Sequence, residues 1–98
     1  MTIGEFQKLM EDLYLEHDSR RGLGGTFMWF LEEVGELSTA LRAARPGSRQ
    51  QREEFADCLA WLASLANLTG VDLERAAEKY ARGCPRCRRA PCKCRSKK

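Results

Sequence analysis

What this sequence lacks narrows its reading first. No window approaches the length of a transmembrane helix, so no membrane partner is expected. The opening residues Met1-Thr2-Ile3-Gly4-Glu5 hold no basic segment followed by an apolar run. That argues against a secretory signal and for a soluble, cytoplasmic protein. Apolar and polar residues nowhere alternate in the manner of a strand, and no internal repeat is present, which removes sheet-based classes. Proline is limited to Pro46, Pro85 and Pro91. Histidine is limited to His17, beside Asp18 at the end of a helical stretch, where it reads as a solvated surface residue without a role. Acids and aromatics are both missing from residues 84–98, so base stacking by that segment has no support.

What is present divides into two parts. The 98 residues make one domain at most, with a core small enough that self-association is expected. Residues 1–83 hold 10 Lys and Arg against 14 Asp and Glu, whereas residues 84–98 hold 7 basic residues and no acid, for +3 overall. The chain is therefore read as an acidic body, 1–83, and a basic tail, 84–98. Of five cysteines, Cys58 falls in a helical pattern and the other four crowd into the tail. In a reducing compartment such crowding points to metal ligation before disulfides.

Helical periodicity covers the body. Thr2 and Glu5 form a capping box, opening a helix near Ile3 with the stripe Phe6, Leu9, Met10, Leu13 and Tyr14. It is expected to fade at Glu16 to Asp18, leaving Ser19 to Gly25 as a loop. A second helix runs from about Thr26 to Ala44, with Phe27, Phe30, Leu31, Val34, Leu37 and Leu41 apolar, until Pro46-Gly47 stops it. Ser48 and Gln51 form another capping box for a third helix, about Arg49 to Leu68, ended by Gly70. Asp72 caps a fourth, about Leu73 to Arg82. The expected fold is all-α, a bundle of four short helices with a Cys-rich tail.

Two acidic phrases stand out, Glu32-Glu33-Val34-Gly35-Glu36 and Glu53-Glu54-Phe55-Ala56-Asp57. Residues three apart share a helix face, so Glu33 and Glu36 project together, as do Glu54 and Asp57. Packing of the two helices would bring their carboxylates to one place. Mutual repulsion there calls for a counter-ion, and Mg²⁺ prefers oxygen ligands, with Mn²⁺ the other acceptable ion. Mg²⁺ in turn suggests a phosphate-bearing substrate. The competing reading is a solvated or salt-bridged face, with Arg42, Arg45, Arg49 and Arg52 as partners. Gly35 in mid-helix costs about 1 kcal/mol against Ala; a close helix approach or room for a ligand would explain it.

The pattern Glu32-Glu33-x-x-Glu36 followed by Glu54-x-x-Asp57 resembles the EExxE…ExxD signature of MazG-like nucleotide pyrophosphohydrolases, an all-α superfamily with dimeric dUTP and dCTP pyrophosphatases and phosphoribosyl-ATP pyrophosphatase. The resemblance runs over roughly residues 3–82 and continues in Gly70-Val71-Asp72-Leu73-Glu74 and Lys79-Tyr80. It implies hydrolysis of a nucleoside triphosphate between its α- and β-phosphates, giving a monophosphate and pyrophosphate. By position it implies Mg²⁺ on Glu33, Glu36, Glu54 and Asp57, with Glu32 or Glu36 handling the attacking water. It places Lys79 near the phosphates and Trp61 near the base or sugar. Gly83 departs from the Asn that members often carry four residues after this lysine, which bears on base or ribose recognition more than on metal chemistry. It implies also that a neighbouring subunit completes the pocket, in a homodimer or a tetramer of paired dimers. Phosphoribosyl-ATP hydrolysis fits the local phrases less well.

Of the aromatics, Phe27 and Phe30 read as core, while Trp61 shares the Glu54–Asp57 face and leans toward nucleobase contact. The tail reads CxxC-x4-CxC through Cys84, Cys87, Cys92 and Cys94, with Pro91 redirecting the chain. One tetrahedral zinc per chain is expected there, against a disordered basic tail with reduced thiols. An inactive bundle whose zinc-bound tail contacts nucleic acid or protein is the alternative function.

Overall fold

The computed structural model describes residues 1–95; the last three residues of the 84–98 tail lie outside the described part. Three α-helices and one 3-10 turn make up the body: α1 Ile3–Ala43, α2 Arg49–Thr69, α3 Leu73–Ala77, then the turn Glu78–Tyr80. No strand occurs among the described residues.

The expected loop at Ser19 to Gly25 is instead helical on both sides of a single break. Gly22, at φ 84 and ψ 170, is the one non-helical residue within α1. The helix reaches that point because its polar residues pair along the helix. Arg20 bonds Glu16 at 2.6 Å and Arg21 bonds Asp18 at 2.9 Å, the i,i+4 and i,i+3 spacings that support a helix. Only glycine occupies the Gly22 region of backbone space readily.

The break has a large consequence. A straight helix of 41 residues would run about 60 Å, yet the longest dimension of the molecule is 43 Å. Both arms of α1 instead pack on α2. In the first arm Gln7 bonds Asn67 at 3.0 Å and Arg21 lies over Trp61. In the second, Trp29 stacks on Trp61, and Gln51 Nε2 donates to the Ala40 carbonyl at 3.1 Å. Residue numbers rise along each arm as they fall along α2, so each arm runs antiparallel to it. Trp61 sits where the arms meet.

The ends are fixed by the residues expected to fix them. The Thr2–Glu5 capping box is present in both directions. Ser48 Oγ accepts from Gln51 N at 3.2 Å, but the Gln51 side chain does not return the bond. Its Oε1 accepts from Gly47 N at 2.9 Å, joining the turn to α2. Gly70 ends α2 in the left-handed conformation. Asp72 Oδ1 accepts from Arg75 N and starts α3. Gln7 holds this end together, donating to the Val71 carbonyl at 2.7 Å and accepting from Leu73 N at 2.9 Å. The expected fourth helix to Arg82 is shorter, ending at Ala77 and tightening into the 3-10 turn.

Within one chain the core is slight. Met10, Ala40, Ala63 and Ala66 are its buried apolar residues. Small residues let α1 and α2 approach closely, while the large ones stay out. Leu9, Leu13 and Tyr14, expected in a buried stripe, are exposed, and so is Phe27, expected in the core. A Cβ added to Gly35 would meet nothing within 4 Å, so no close helix approach inside the chain requires that glycine.

Candidate active site

α2 and the second arm of α1 bring the acids together. Carboxylate oxygens of Glu33, Glu54 and Asp57 all lie within 4.8 Å of one another. Glu33 and Glu54 are partly buried and Asp57 is exposed. Glu36 is exposed and outside this group of three, although its charge reaches Glu33. Glu32 acts on Glu33 more weakly still. Glu53 turns to Arg49 at 3.1 Å. Among the described residues no Arg or Lys pairs with Glu33, Glu54 or Asp57, so the salt-bridged reading holds for Glu53 and not for these three acids.

The electrostatics reflect this. Burial raises the Glu33 carboxyl above its ordinary 4.5, and the charges of Asp57, Glu54, Glu36 and Glu32 add to the rise. Glu54 Oε2 is buried with no hydrogen-bond partner. Cys58, on the next residue of α2, has its thiol raised by burial first and by the same carboxylates second. Two unit charges 4 Å apart repel by about 4 kcal/mol at an effective dielectric of about 20. A cation among these oxygens would offset that repulsion. Oxygen donors of this kind suit a hard divalent ion.

Beside the acids lies a cavity of about 380 Å³, walled by Tyr14, His17, Asp18, Arg21, Asp57 and Trp61. Trp61 is held there by two partners: Trp29, stacked with centroids 6.1 Å apart and planes at 13°, and the Arg21 guanidinium, 4.9 Å from its ring centre. Arg21 is aimed in turn by Asp18, which is 1% exposed. Asp18 Oδ2 has no hydrogen-bond partner. Asp18 and Arg21 were not legible as site residues, because Asp18 falls where the first helix is expected to fade and Arg21 falls in the expected loop. Their i,i+3 spacing was the available signal. His17 is exposed as expected, but on the wall of this cavity.

Lys79 is elsewhere in the single chain. Its ammonium lies 5.1 Å from the Tyr80 ring centre, and it lines a second cavity of about 380 Å³ with Arg82, Gly83, Cys84 and Arg88. The four tail cysteines gather next to it, their sulfurs within 4.8 Å of one another. The Cys84 thiol is drawn down to about 6 by the backbone amides of Cys87 and Arg86, whereas Cys94 is pushed up to about 12 by its contacts with the Cys92 and Cys87 sulfurs.

No curated protein matches the chain. The family model of the MazG nucleotide pyrophosphohydrolase domain matches residues 24–88, which span the second arm of α1 with Glu33, all of α2 with Glu54 and Asp57, and the chain as far as Arg88. The two helices that meet at the carboxylates are thus the ones the family model describes, and the chain belongs to the MazG nucleotide pyrophosphohydrolase domain family.

Proposed function

We propose that the protein is a Mg²⁺-dependent nucleoside triphosphate pyrophosphohydrolase of the cytoplasmic nucleotide pool, cleaving an NTP or dNTP to its monophosphate and pyrophosphate. One observation carries the reading: three carboxylates, unpaired with any Lys or Arg among the described residues, converge within 4.8 Å on the two helices that the family match covers. The buried, unpartnered Glu54 Oε2 supports a cation there, since burying such an oxygen without a partner is costly. Glu33, Glu54 and Asp57 would hold Mg²⁺ or Mn²⁺, with Glu36 one turn away completing the set. When bound, the ion supplies neutralising charge for the phosphate oxygens.

The chain's own groups do the rest. Glu36 and Glu32 are exposed on the same helix as Glu33, and either carboxylate would orient a water and take its proton. The cavity next to Asp57 takes the nucleoside. The Trp29–Trp61 pair and Arg21 form its wall, and Asp18 Oδ2 is an open acceptor for a base or sugar donor. Lys79 lines a different cavity of the same chain. A role for it at the phosphates would require a neighbouring copy to present it.

A second copy is part of this reading. The groove between α1 and α2 lined by Phe30, Val34, Leu37, Phe55, Leu59 and Leu62 is apolar and about 500 Å³ in volume. It adjoins the acids through Cys58. We assign it to a homodimer or a dimer of dimers.

The test is product analysis by chromatography for each common NTP and dNTP with Mg²⁺, with Glu54→Gln as control. Equal amounts of monophosphate and pyrophosphate, lost in the variant, are expected. Folded, oligomeric protein that turns over no nucleotide would overturn the reading. It would favour the inactive binding module, which offers no use for an unpaired acidic cluster.

A further inference from the structure

The tail cysteines play no part in the acidic site, yet they are arranged as closely as its carboxylates. Cys84 and Cys94 sulfurs are 3.8 Å apart, those of Cys87 and Cys92 3.9 Å, and all four lie within 4.8 Å of one another. A tetrahedral ion with Zn–S bonds of about 2.3 Å has sulfur–sulfur edges of about 3.8 Å. A disulfide closes to about 2.05 Å and would separate the sulfurs into two pairs.

The backbone is wound to bring them there. Arg88 N donates to the Cys84 carbonyl at 2.6 Å, and Cys84 N donates to the Arg89 carbonyl at 3.1 Å. Arg88 adopts φ 60 and Gly83 φ 98. A Cβ on Gly83 would come within 3.1 Å of the Arg89 carbonyl oxygen at a φ that side chains rarely adopt, so glycine closes this loop with the least strain. Backbone amides point at sulfur as well: Lys93 N lies 3.4 Å from Cys87 Sγ, and Cys94 N 3.3 Å from Cys92 Sγ. Such donors stabilise thiolates. Apart from cysteine, residues 84–95 contain only Pro85, Ala90 and Pro91 as apolar residues. Hydrophobic burial does not hold this loop, and something else must.

We propose that Cys84, Cys87, Cys92 and Cys94 bind one zinc ion per chain in a closed, structural site that folds residues 84–95 onto the end of the helical body. Four thiolates leave no open position, which excludes a catalytic role for the ion. The complex with four thiolates is doubly negative, and the same short segment carries the positive charges of Arg86, Arg88, Arg89, Lys93 and Arg95. The basic tail is therefore the electrostatic complement of its own metal site. Folding the loop also fixes Arg88 beside Lys79 and Arg82 on their shared cavity.

The experiment is metal analysis of the full chain, reduced and handled without oxygen, followed by Co²⁺ substitution. One zinc per chain is expected, with the thiolate-to-cobalt charge-transfer bands of a tetrathiolate site after exchange. The Cys87→Ser/Cys92→Ser double variant is expected to lose both while its helical circular dichroism stays unchanged. Thiol alkylation of the native protein gives a second measure that needs no variant: the tail cysteines should be protected until zinc is chelated. Protein that takes up neither ion, or zinc undiminished in the double variant, or tail thiols that alkylate equally with and without zinc, would overturn the proposal.

Discussion

Glu54 is the residue on which the site reading turns. It combines a place in the carboxylate group with a buried oxygen that no described residue satisfies. Glu54→Gln should lower kcat/KM about 10²–10³-fold, the size of effect seen when one electrostatic element of a transition-state site is removed. It should leave the metal-free protein at least as resistant to heat, because one repelling charge is gone. Steady-state kinetics and a thermal melt check both. Glu33 gives a pH dependence with a definite sign. Its folded carboxyl is raised above the ordinary 4.5, so between that value and the folded one the native state binds more protons than the unfolded chain. Stability of the metal-free protein should therefore fall as pH rises through this window. Glu33→Gln should flatten the fall, and Mg²⁺ should restore stability at neutral pH; urea titrations across the acid range test this. Trp61→Ala should raise KM about tenfold, since stacking one base is worth about 1–3 kcal/mol. An unchanged KM would remove Trp61 from nucleoside binding and leave it as the packing partner of Trp29.

At the scale of the element, the break in α1 decides the layout. Gly22 makes it, and its two glycine neighbours do not. Gly24 lies in helical backbone, and a Cβ there would meet nothing within 4 Å. Gly22→Ala should destabilise the protein by about 1–3 kcal/mol, the cost of holding a non-glycine residue in that backbone region. Gly24→Ala should instead stabilise it by about 0.5–1 kcal/mol through helix propensity. Denaturant midpoints of the two variants moving in opposite directions would locate the hinge at one residue. Because Arg21 precedes the break and Trp29 follows it, the same hinge sets the wall around Trp61. Gly22→Ala should therefore raise KM as well as reduce stability.

At the scale of the whole molecule, the notable quantity is apolar surface left uncovered. Phe55 is 55% exposed and Leu59 46%, on the same helix as the acids, while the buried apolar core is one methionine and three alanines. Chains of this size with so little core usually gain stability from association. Sedimentation should show a dimer or larger species. Leu59→Glu should shift it to a monomer with reduced activity, as Cys58 connects that groove to the carboxylates. A fully active wild-type monomer would remove the second copy from the site. None of the described helices is long and apolar enough to cross a membrane.

The sequence by itself determined what depends on neighbours along the chain. Thr2, Ser48, Gly70 and Asp72 mark helix ends because capping is a bond to a backbone group a few residues away. The pairing of Glu33 with Glu36, and of Glu54 with Asp57, is fixed by helix periodicity alone. The CxxC and CxC spacings put four cysteines into one short segment, a pattern suited to metal ligation before any fold is known. What the tertiary structure decided is which of these groups meet. It brought Glu33 to Glu54 and Asp57 and left Glu36 at the margin, because the register of α1 against α2 is set by small buried residues such as Ala40 and Ala63. It turned the expected loop at residues 19–25 into a one-residue break, since three nearby glycines look alike in sequence and only backbone geometry separates Gly22 from the others. It exposed Leu13, Tyr14 and Phe27, which periodicity marks as apolar without saying what covers them. It also placed Gly83, a departure from the family pattern at the substrate end, under the Arg89 carbonyl at a positive φ, where a Cβ would be crowded and strained. Local bonds are written in the order of residues; long-range register and side-chain convergence arise only once helices pack.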